Sequence, residues 1–206
     1  MELLTVIAIM SILAAFTLGS FGTISGKQVV TGGNRVYDLI NQARQYAINR
    51  NVPTALVMVT GSGNANWDYR LFSVYCLPSA GGTWTQVSKW TLLPANVIVD
   101  PPFKYNGDYN VPTAGLTFTG PTTILGTSTA TFTSSTPYAY EVFLPTGALS
   151  FASPAPTVPP YVSVVSGIVN GTAATYTGKN SGSSPSDYYE ITINMYTGMP
   201  KVDQPQ

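Results

Sequence analysis

Residues 2–18 read Glu2-Leu3-Leu4-Thr5-Val6-Ile7-Ala8-Ile9-Met10-Ser11-Ile12-Leu13-Ala14-Ala15-Phe16-Thr17-Leu18, and this stretch decides the architecture of the chain. After Glu2, the next charged residue is Lys27. A helix of about 20 apolar residues is long enough to cross a bilayer. The stretch therefore predicts a membrane-spanning helix. Glu2 is a candidate functional group, because an acid at the mouth of such a helix is costly to bury.

A secretory signal peptide is the alternative interpretation of this start. Such a peptide needs a basic n-region and a small-residue cleavage site. No Lys or Arg precedes the apolar run, and Ala14-Ala15-Phe16 offers only a weak cleavage pattern. The sequence thus favours a membrane anchor.

A weak stretch follows the apolar run. Gly19, Gly22 and Gly26 each cost a helix about 1 kcal/mol relative to alanine, so residues 19–33 are predicted to be a place where the helix can bend or melt. Gly32 and Gly33 close this stretch, and Asn34 is a candidate cap for a new helix start.

Residues 34–50 form an amphipathic helix by their pattern. Apolar residues recur at helical spacing, and we expect them to pack the helix onto the rest of the protein: Val36, Leu39, Ile40, Ala43 and Ala47. The helix is predicted to end before Pro53, whose ring disfavours the α conformation in the preceding residue.

Beyond Pro53 the pattern changes to short β runs separated by loops rich in Pro, Gly, Ser and Thr. We expect strands at 54–60, 67–77, 83–93, 96–100, 115–119, 138–144, 161–169 and 188–196, with a hairpin from 138–144 into 148–151. The intervening loops are 101–114, 120–137, 152–160 and 178–186. The fold class is therefore α+β, with a long N-terminal helix packed on an all-β module. Its parts are a hydrophobic transmembrane or polymerisation helix (1–24), an amphipathic continuation (25–52) and a β-rich head (53–206).

Composition argues against several functions. Nine basic and nine acidic residues cancel, so we expect no nucleic-acid partner. Histidine, the commonest general base and transition-metal ligand, does not occur. Cys76, the single cysteine, is interpreted as a small buried residue in a strand. We expect no catalytic residue, no cofactor and no metal.

Three weaker possibilities stay open. Asp100 and Asp108, with Asn106 and Asn110, flank a loop that could supply calcium ligands. Asn170-Gly171-Thr172 fits the short glycosylation pattern. The thirteen tyrosines and three tryptophans could form a carbohydrate platform, although such residues are more often core and cross-strand pairs.

The segment from Glu2 to Ala15 resembles the class III signal segment of type IV pilins and type II secretion pseudopilins. In that family a basic leader ending in Gly precedes a mature start of the Phe-Thr-Leu-Ile-Glu-Leu type. Met1 matches the residue just before the glutamate of that motif. The resemblance therefore implies that the true N-terminus lies upstream, with processing by a prepilin peptidase and N-terminal methylation.

A second resemblance extends over the head. Residues 34–53, with Ala43-Arg44 and Ala47-Ile48, resemble the helix of H-type minor pseudopilins and FimT-like pilins. Phe143-Leu144-Pro145-Thr146-Gly147 is similar to their hairpin, and residues 191–202 are similar to their closing strand and turn. In this chain Met199-Pro200 replaces the basic residue usual after that turn.

The resemblance implies roles for the residues of the first helix. Glu2 would pair with the N-terminal amine of a neighbouring subunit and set the register of assembly. Gly19, Gly22 and Gly26 would loosen the helix where it leaves the bilayer, with a plain hinge as the alternative.

The expected function is that of a structural, non-enzymatic subunit of a type IV pilus-like or type II secretion pseudopilus filament, as a minor, tip-initiating pseudopilin. Its expected partners are other pilin or pseudopilin subunits, contacted through the N-terminal helix. It would be held in the bacterial inner membrane with its head in the periplasm before it enters the filament. The alternatives are a major pilin or adhesive surface subunit, and a membrane-anchored carbohydrate-binding or hydrolytic β domain.

Overall fold

The computed structural model of the protein consists of a long helix followed by antiparallel β-sheets, which confirms the predicted α+β class. It describes residues 6, 10, 21–79, 82, 84–101, 121–124, 128–131, 136, 138–151, 159–171, 173–177 and 185–203.

Helix α1 spans Phe21–Arg50 without interruption. The prediction that Asn34 caps a new helix is therefore wrong, because Asn34 lies in the middle of α1. The helix ends as the sequence predicts. Asn51 adopts a left-handed conformation (φ 53°), and the Val52 N–H donates to the Ala47 carbonyl at 3.2 Å. These bonds satisfy carbonyl groups that the last turn leaves unpaired, and Pro53 then starts an extended segment.

Sheet A is antiparallel and follows directly from the helix. Its strands are β1 (Thr54–Val59), β2 (Leu71–Cys76), β3 (Thr85–Gln86), β4 (Thr91–Leu92) and β8 (Tyr138–Phe143). Their order is β3-β2-β1-β8, and β4 also pairs with β2.

The strands of sheet B are β5 (Val97–Val99), β9 (Tyr161–Asn170), β10 (Ala173–Tyr176), β11 (Tyr188–Ile193) and β12 (Pro200–Asp203). The longest strand, β9, pairs with β5, β10 and β11, and β12 pairs with β11. A separate two-stranded sheet pairs β6 (Pro121–Ile124) with β7 (Ser128–Thr131).

Several strand predictions need correction. The run 67–77 becomes a strand only at Leu71, because the N–H groups of Trp67 and Asp68 both donate to the Asn64 carbonyl and close a turn. The run 83–93 is divided into the short strands β3 and β4. The predicted loop 120–137 is wrong in part, since it contains β6 and β7, whose polar residues lack a strand pattern. The predicted strand 115–119 lies outside the described residues.

The hairpin after β8 is as expected. The Leu144 N–H donates to the Ala148 carbonyl and the Ser150 N–H to the Val142 carbonyl, both at 2.8 Å. Gly147 turns the chain with φ 85°, a conformation that costs glycine no steric strain.

Two apolar clusters make up the core. The larger lies between α1 and the sheets and includes Val36, Ile40, Met58, Phe143 and Ile191. The smaller lies on the other face of sheet A and includes Ala55, Val57, Leu71, Tyr75 and Trp90. Sheet A is therefore apolar on both faces, and α1 covers only one of them.

Candidate assembly surface

The buried side of α1 joins the helix to the head. The five residues that the pattern assigned to this packing are all buried: Val36, Leu39, Ile40, Ala43 and Ala47. Val29 extends the buried side towards the N-terminus, and it packs in the same cluster as Val97 and Val164 of sheet B. From Val29 to Ala47 the helix therefore contacts the head along about five turns.

Gly32 and Gly33 are points of closest approach. A Cβ atom at Gly32 would lie 2.7 Å from Val97 Cγ1, and one at Gly33 would overlap the ring of Tyr189. A larger side chain at either position would force Val97 or Tyr189 to move. These glycines thus allow close packing within a continuous helix. They do not close a weak stretch, which is what the sequence predicted.

Three side-chain hydrogen bonds fasten the helix to three separate segments of the head. Tyr189, on β11, donates a hydrogen bond from Oη to Asn34 Oδ1 at 2.7 Å. An Arg35 amino group donates to the Leu92 carbonyl at 2.7 Å, and Arg44 Nε donates to the Thr197 carbonyl at 2.6 Å. Bonds from a guanidinium are stronger than neutral ones, so both flanks of the helix are held.

The opposite side of α1 faces solvent. It carries polar and charged residues with isolated apolar ones among them: Lys27, Val30, Thr31, Asn34, Arg35, Asp38, Gln42, Gln45, Ile48 and Asn49. This side is exposed from Lys27 to Asn49, although Asn34 and Arg35 also hydrogen-bond to the head.

The other residues predicted to act in assembly lie before α1 or in its first two turns. Glu2 and Gly19 lie outside the described residues. Gly22 and Gly26 lie within the helix, and a Cβ at Gly26 would meet no atom within 4 Å. Their helix-loosening role stays a prediction. Among the described residues, no helix combines the length and the apolar character that a membrane span requires.

Glu141 is a buried acid within the predicted strand 138–144, and it was not among the predicted site residues. It lies on β8 opposite Leu56, on the face of sheet A that packs towards α1. Burial raises the pKa of its carboxyl to about 8, and Oε1 has no hydrogen-bond partner among the described residues. The available signal was its place between Ala139 and Phe143, both apolar, in the alternating strand.

Asp100 is the other buried carboxylate of note. Its Oδ1 accepts a 2.7 Å hydrogen bond from Tyr176 Oη. Burial raises the pKa of Asp100, and the Tyr176 bond opposes that rise. The loop residues proposed to share calcium with it, Asn106, Asp108 and Asn110, lie outside the described residues. Within the described part of the chain, no three His, Cys, Asp or Glu side chains lie close enough to hold a metal ion.

The aromatic residues are used inside the head. Trp90, Tyr75 and Tyr140 are buried on the outer face of sheet A, and Trp67 and Trp84 pack half-buried against them. Tyr75 and Trp90 meet edge to face with ring centroids 6.2 Å apart. This arrangement fits a second core better than an open carbohydrate platform. Cys76 is buried in β2, as predicted.

The family model described as type II transport protein GspH matches residues 33–194. The chain belongs to this GspH family, whose members are minor pseudopilin subunits of the type II secretion system. Type II secretion pseudopilins are anchored in the inner membrane and form a periplasmic pseudopilus.

Solved structures of the minor pseudopilin EpsH from the type II secretion system of Vibrio cholerae are similar to this chain. One is 11% identical with a TM-score of 0.44, and the match covers 86% of this chain and 98% of that chain. A second is 11% identical with a TM-score of 0.46, covering 88% and 96%. No curated protein sequence matches the chain.

Proposed function

We propose that this chain initiates a pseudopilus as a minor subunit near the filament tip, and that it performs no catalysis. Its apolar N-terminal helix would hold it in the inner membrane and would then enter the filament core. Its β head would face the periplasm and contact other pseudopilins.

The observation that carries this proposal is the way α1 is fastened to the head. A buried face from Val29 to Ala47 and hydrogen bonds from both flanks fix the direction of the helix relative to the sheets. A subunit whose helix packs in a filament core needs this rigidity, because the helix position then determines where each head lies.

Glu2 is proposed to set the register between subunits. A carboxylate buried alone in an apolar core costs several kcal/mol, and pairing with the amine of a neighbour recovers much of that cost. A subunit at the wrong height would leave the charge unpaired, so only one stagger would be stable.

The test is Glu2→Ala in the full-length, processed protein. We expect incorporation into sheared filaments to fall at least tenfold, while the head keeps its protease resistance. Glu2→Asp, which keeps the charge, and Thr5→Ala, which leaves Glu2 in place, are matched controls. Normal incorporation of the Glu2→Ala protein would overturn the register role.

A further inference from the structure

The turn between β11 and β12 presents two large apolar side chains to solvent. Tyr196 is 82% exposed and Met199 is 56% exposed. Ile48 of α1, which is 40% exposed, lies beside the same turn. We call these three residues the apolar turn patch. Apolar side chains that gather on a surface, unlike single scattered ones, mark a place where another molecule binds.

Contacts of the backbone join Ile48 to the turn. Ile48 Cδ1 lies 2.9 Å from the place that a Cβ atom would occupy at Gly147, and a Cβ at Gly198 would overlap the Gly147 carbonyl oxygen. Arg44, one helical turn before Ile48, donates from Nε to the Thr197 carbonyl at 2.6 Å. Helix α1, the β8 hairpin and the β11–β12 turn therefore meet at one place.

The turn is held in one conformation by its own hydrogen bonds. Asn194 Oδ1 accepts from the N–H groups of Tyr196 and Thr197, both at 3.0 Å. The Gly198 N–H donates to the Asn194 carbonyl at 2.7 Å. A side chain on a preordered backbone loses less conformational entropy when it binds. Tyrosine is also enriched among the residues that contribute most to protein interfaces, so Tyr196 has the features of an anchor.

The size of the patch restricts what can bind to it. A stable protein interface buries about 800 Å² on each partner, which is more than three side chains supply. The occupant must therefore be a protein that a second contact already holds nearby, where its effective concentration is high. In a filament subunit, the N-terminal helix supplies that second contact.

The position of the patch on α1 argues for a protein and against a lipid surface. Ile48 lies about 40 Å along the helix axis from Phe21, at about 1.5 Å per residue. A bilayer that holds the apolar N-terminal stretch is out of reach at this distance. Ile48 also belongs to the exposed side of α1, so a subunit that lies along this side reaches the patch.

We propose that the apolar turn patch docks on the head of a neighbouring pseudopilin in the same filament, with Tyr196 as the anchor. The inference rests on the proposed function. Because a minor subunit is present in few copies, the neighbour is a pseudopilin of a different sequence. The surface that receives Tyr196 should be an uncharged apolar recess, since the three side chains of the patch carry no charge. The contact should therefore be insensitive to salt.

The first experiment places a photo-crosslinking amino acid at position 196 of the full chain, expressed in cells that contain the other pseudopilins of its system. Irradiation should link the chain to one of those pseudopilins, identified by mass spectrometry. The same amino acid at position 188 is the matched control, because Tyr188 is an exposed tyrosine at the opposite end of β11. It should give at least tenfold less of that product. Capture of a lipid, a secreted protein or a second copy of this chain would overturn the proposal.

The second experiment measures incorporation into sheared filaments. Tyr196→Ser with Met199→Ser should lower it about tenfold at both low and high salt, without changing the urea midpoint, because both side chains are exposed. Ile168→Ser is the matched control, since Ile168 is 52% exposed on β9 outside the patch. Normal incorporation of the double variant, with Glu2→Ala excluded from the filament, would refute this contact alone. Absence of the wild-type chain from every filament would instead refute the proposed function, and the link from position 196 tests the patch separately.

Discussion

Two stretches of the same helix are held very differently. The clamped stretch, residues 29–47, packs two glycines against sheet B and hydrogen-bonds to the head on both flanks. In the leading stretch, residues 21–28, Lys27 is exposed and Gly26 has open space around it. A glycine in the clamped stretch is needed because a neighbour is close. Gly26 in the leading stretch has no such neighbour, so its effect is on the backbone alone.

Glu141, on the face of sheet A that α1 covers, makes the stability of the fold depend on pH. The pKa of its carboxyl is raised to about 8 from an ordinary 4.5, so the folded state binds more protons than the unfolded state between these values. The free energy of unfolding should therefore fall as the pH rises from about 5 to 8 and then level off. Glu141→Gln should remove this decline, an effect of up to roughly 4 kcal/mol.

Urea unfolding of the full chain in detergent, followed by tryptophan fluorescence across this pH range, measures the decline. Asp38→Asn, an exposed acid on the other side of the helix, should leave it in place. A flat profile for the wild-type chain would show that Glu141 finds a partner in solution.

Gly33→Ala tests the point where the clamped stretch of the helix approaches sheet B most closely. The new methyl group would overlap the base of the Tyr189 ring, which cannot swing aside without disturbing β11. Overpacking of this kind costs about 1–3 kcal/mol, and we expect the upper end, measured as a lower urea midpoint. Tyr189→Leu added to Gly33→Ala should recover part of the loss, because the smaller side chain makes room. Equal stability of the Gly33→Ala and wild-type chains would refute the close-approach role.

Sequence reasoning found the side of the helix that packs but not the reason for its glycines. The spacing of Val36, Leu39, Ile40, Ala43 and Ala47 is a local property, so the buried face could be predicted. Gly32 and Gly33 look like breakers in a local pattern, because each lowers helix propensity. Only the position of Val97 and Tyr189, which are distant in sequence, shows that these glycines let the helix approach sheet B.

The same limit applies to three carboxylates of sheet B. Asp100, Glu190 and Asp203 are far apart in sequence, and only the register of four strands places them in line. The position of Glu141 was easier to predict, since an acid between Ala139 and Phe143 on an alternating strand predicts a carboxylate on an apolar face. Strands β6 and β7 were missed because their Thr and Ser residues resemble a loop.

The smallest expected effect lies in the leading stretch, at Gly26→Ala. With open space around the site, alanine should stabilise the helix by about 0.5–1 kcal/mol through backbone entropy. Amide hydrogen exchange at residues 21–30 should then slow by about twofold to fivefold. If a loosened helix is needed for entry into the filament, incorporation should fall as exchange slows.

Gly171→Ala is the matched control, because Gly171 also has open space but adopts φ 65°. The same substitution should be destabilising there, since a side chain is strained in the left-handed region. Opposite signs at the two sites would show that the leading stretch is limited by backbone freedom alone. Destabilisation at both would mean that Gly26, like Gly33, makes room for a neighbour, and the distinction between the two stretches would fail.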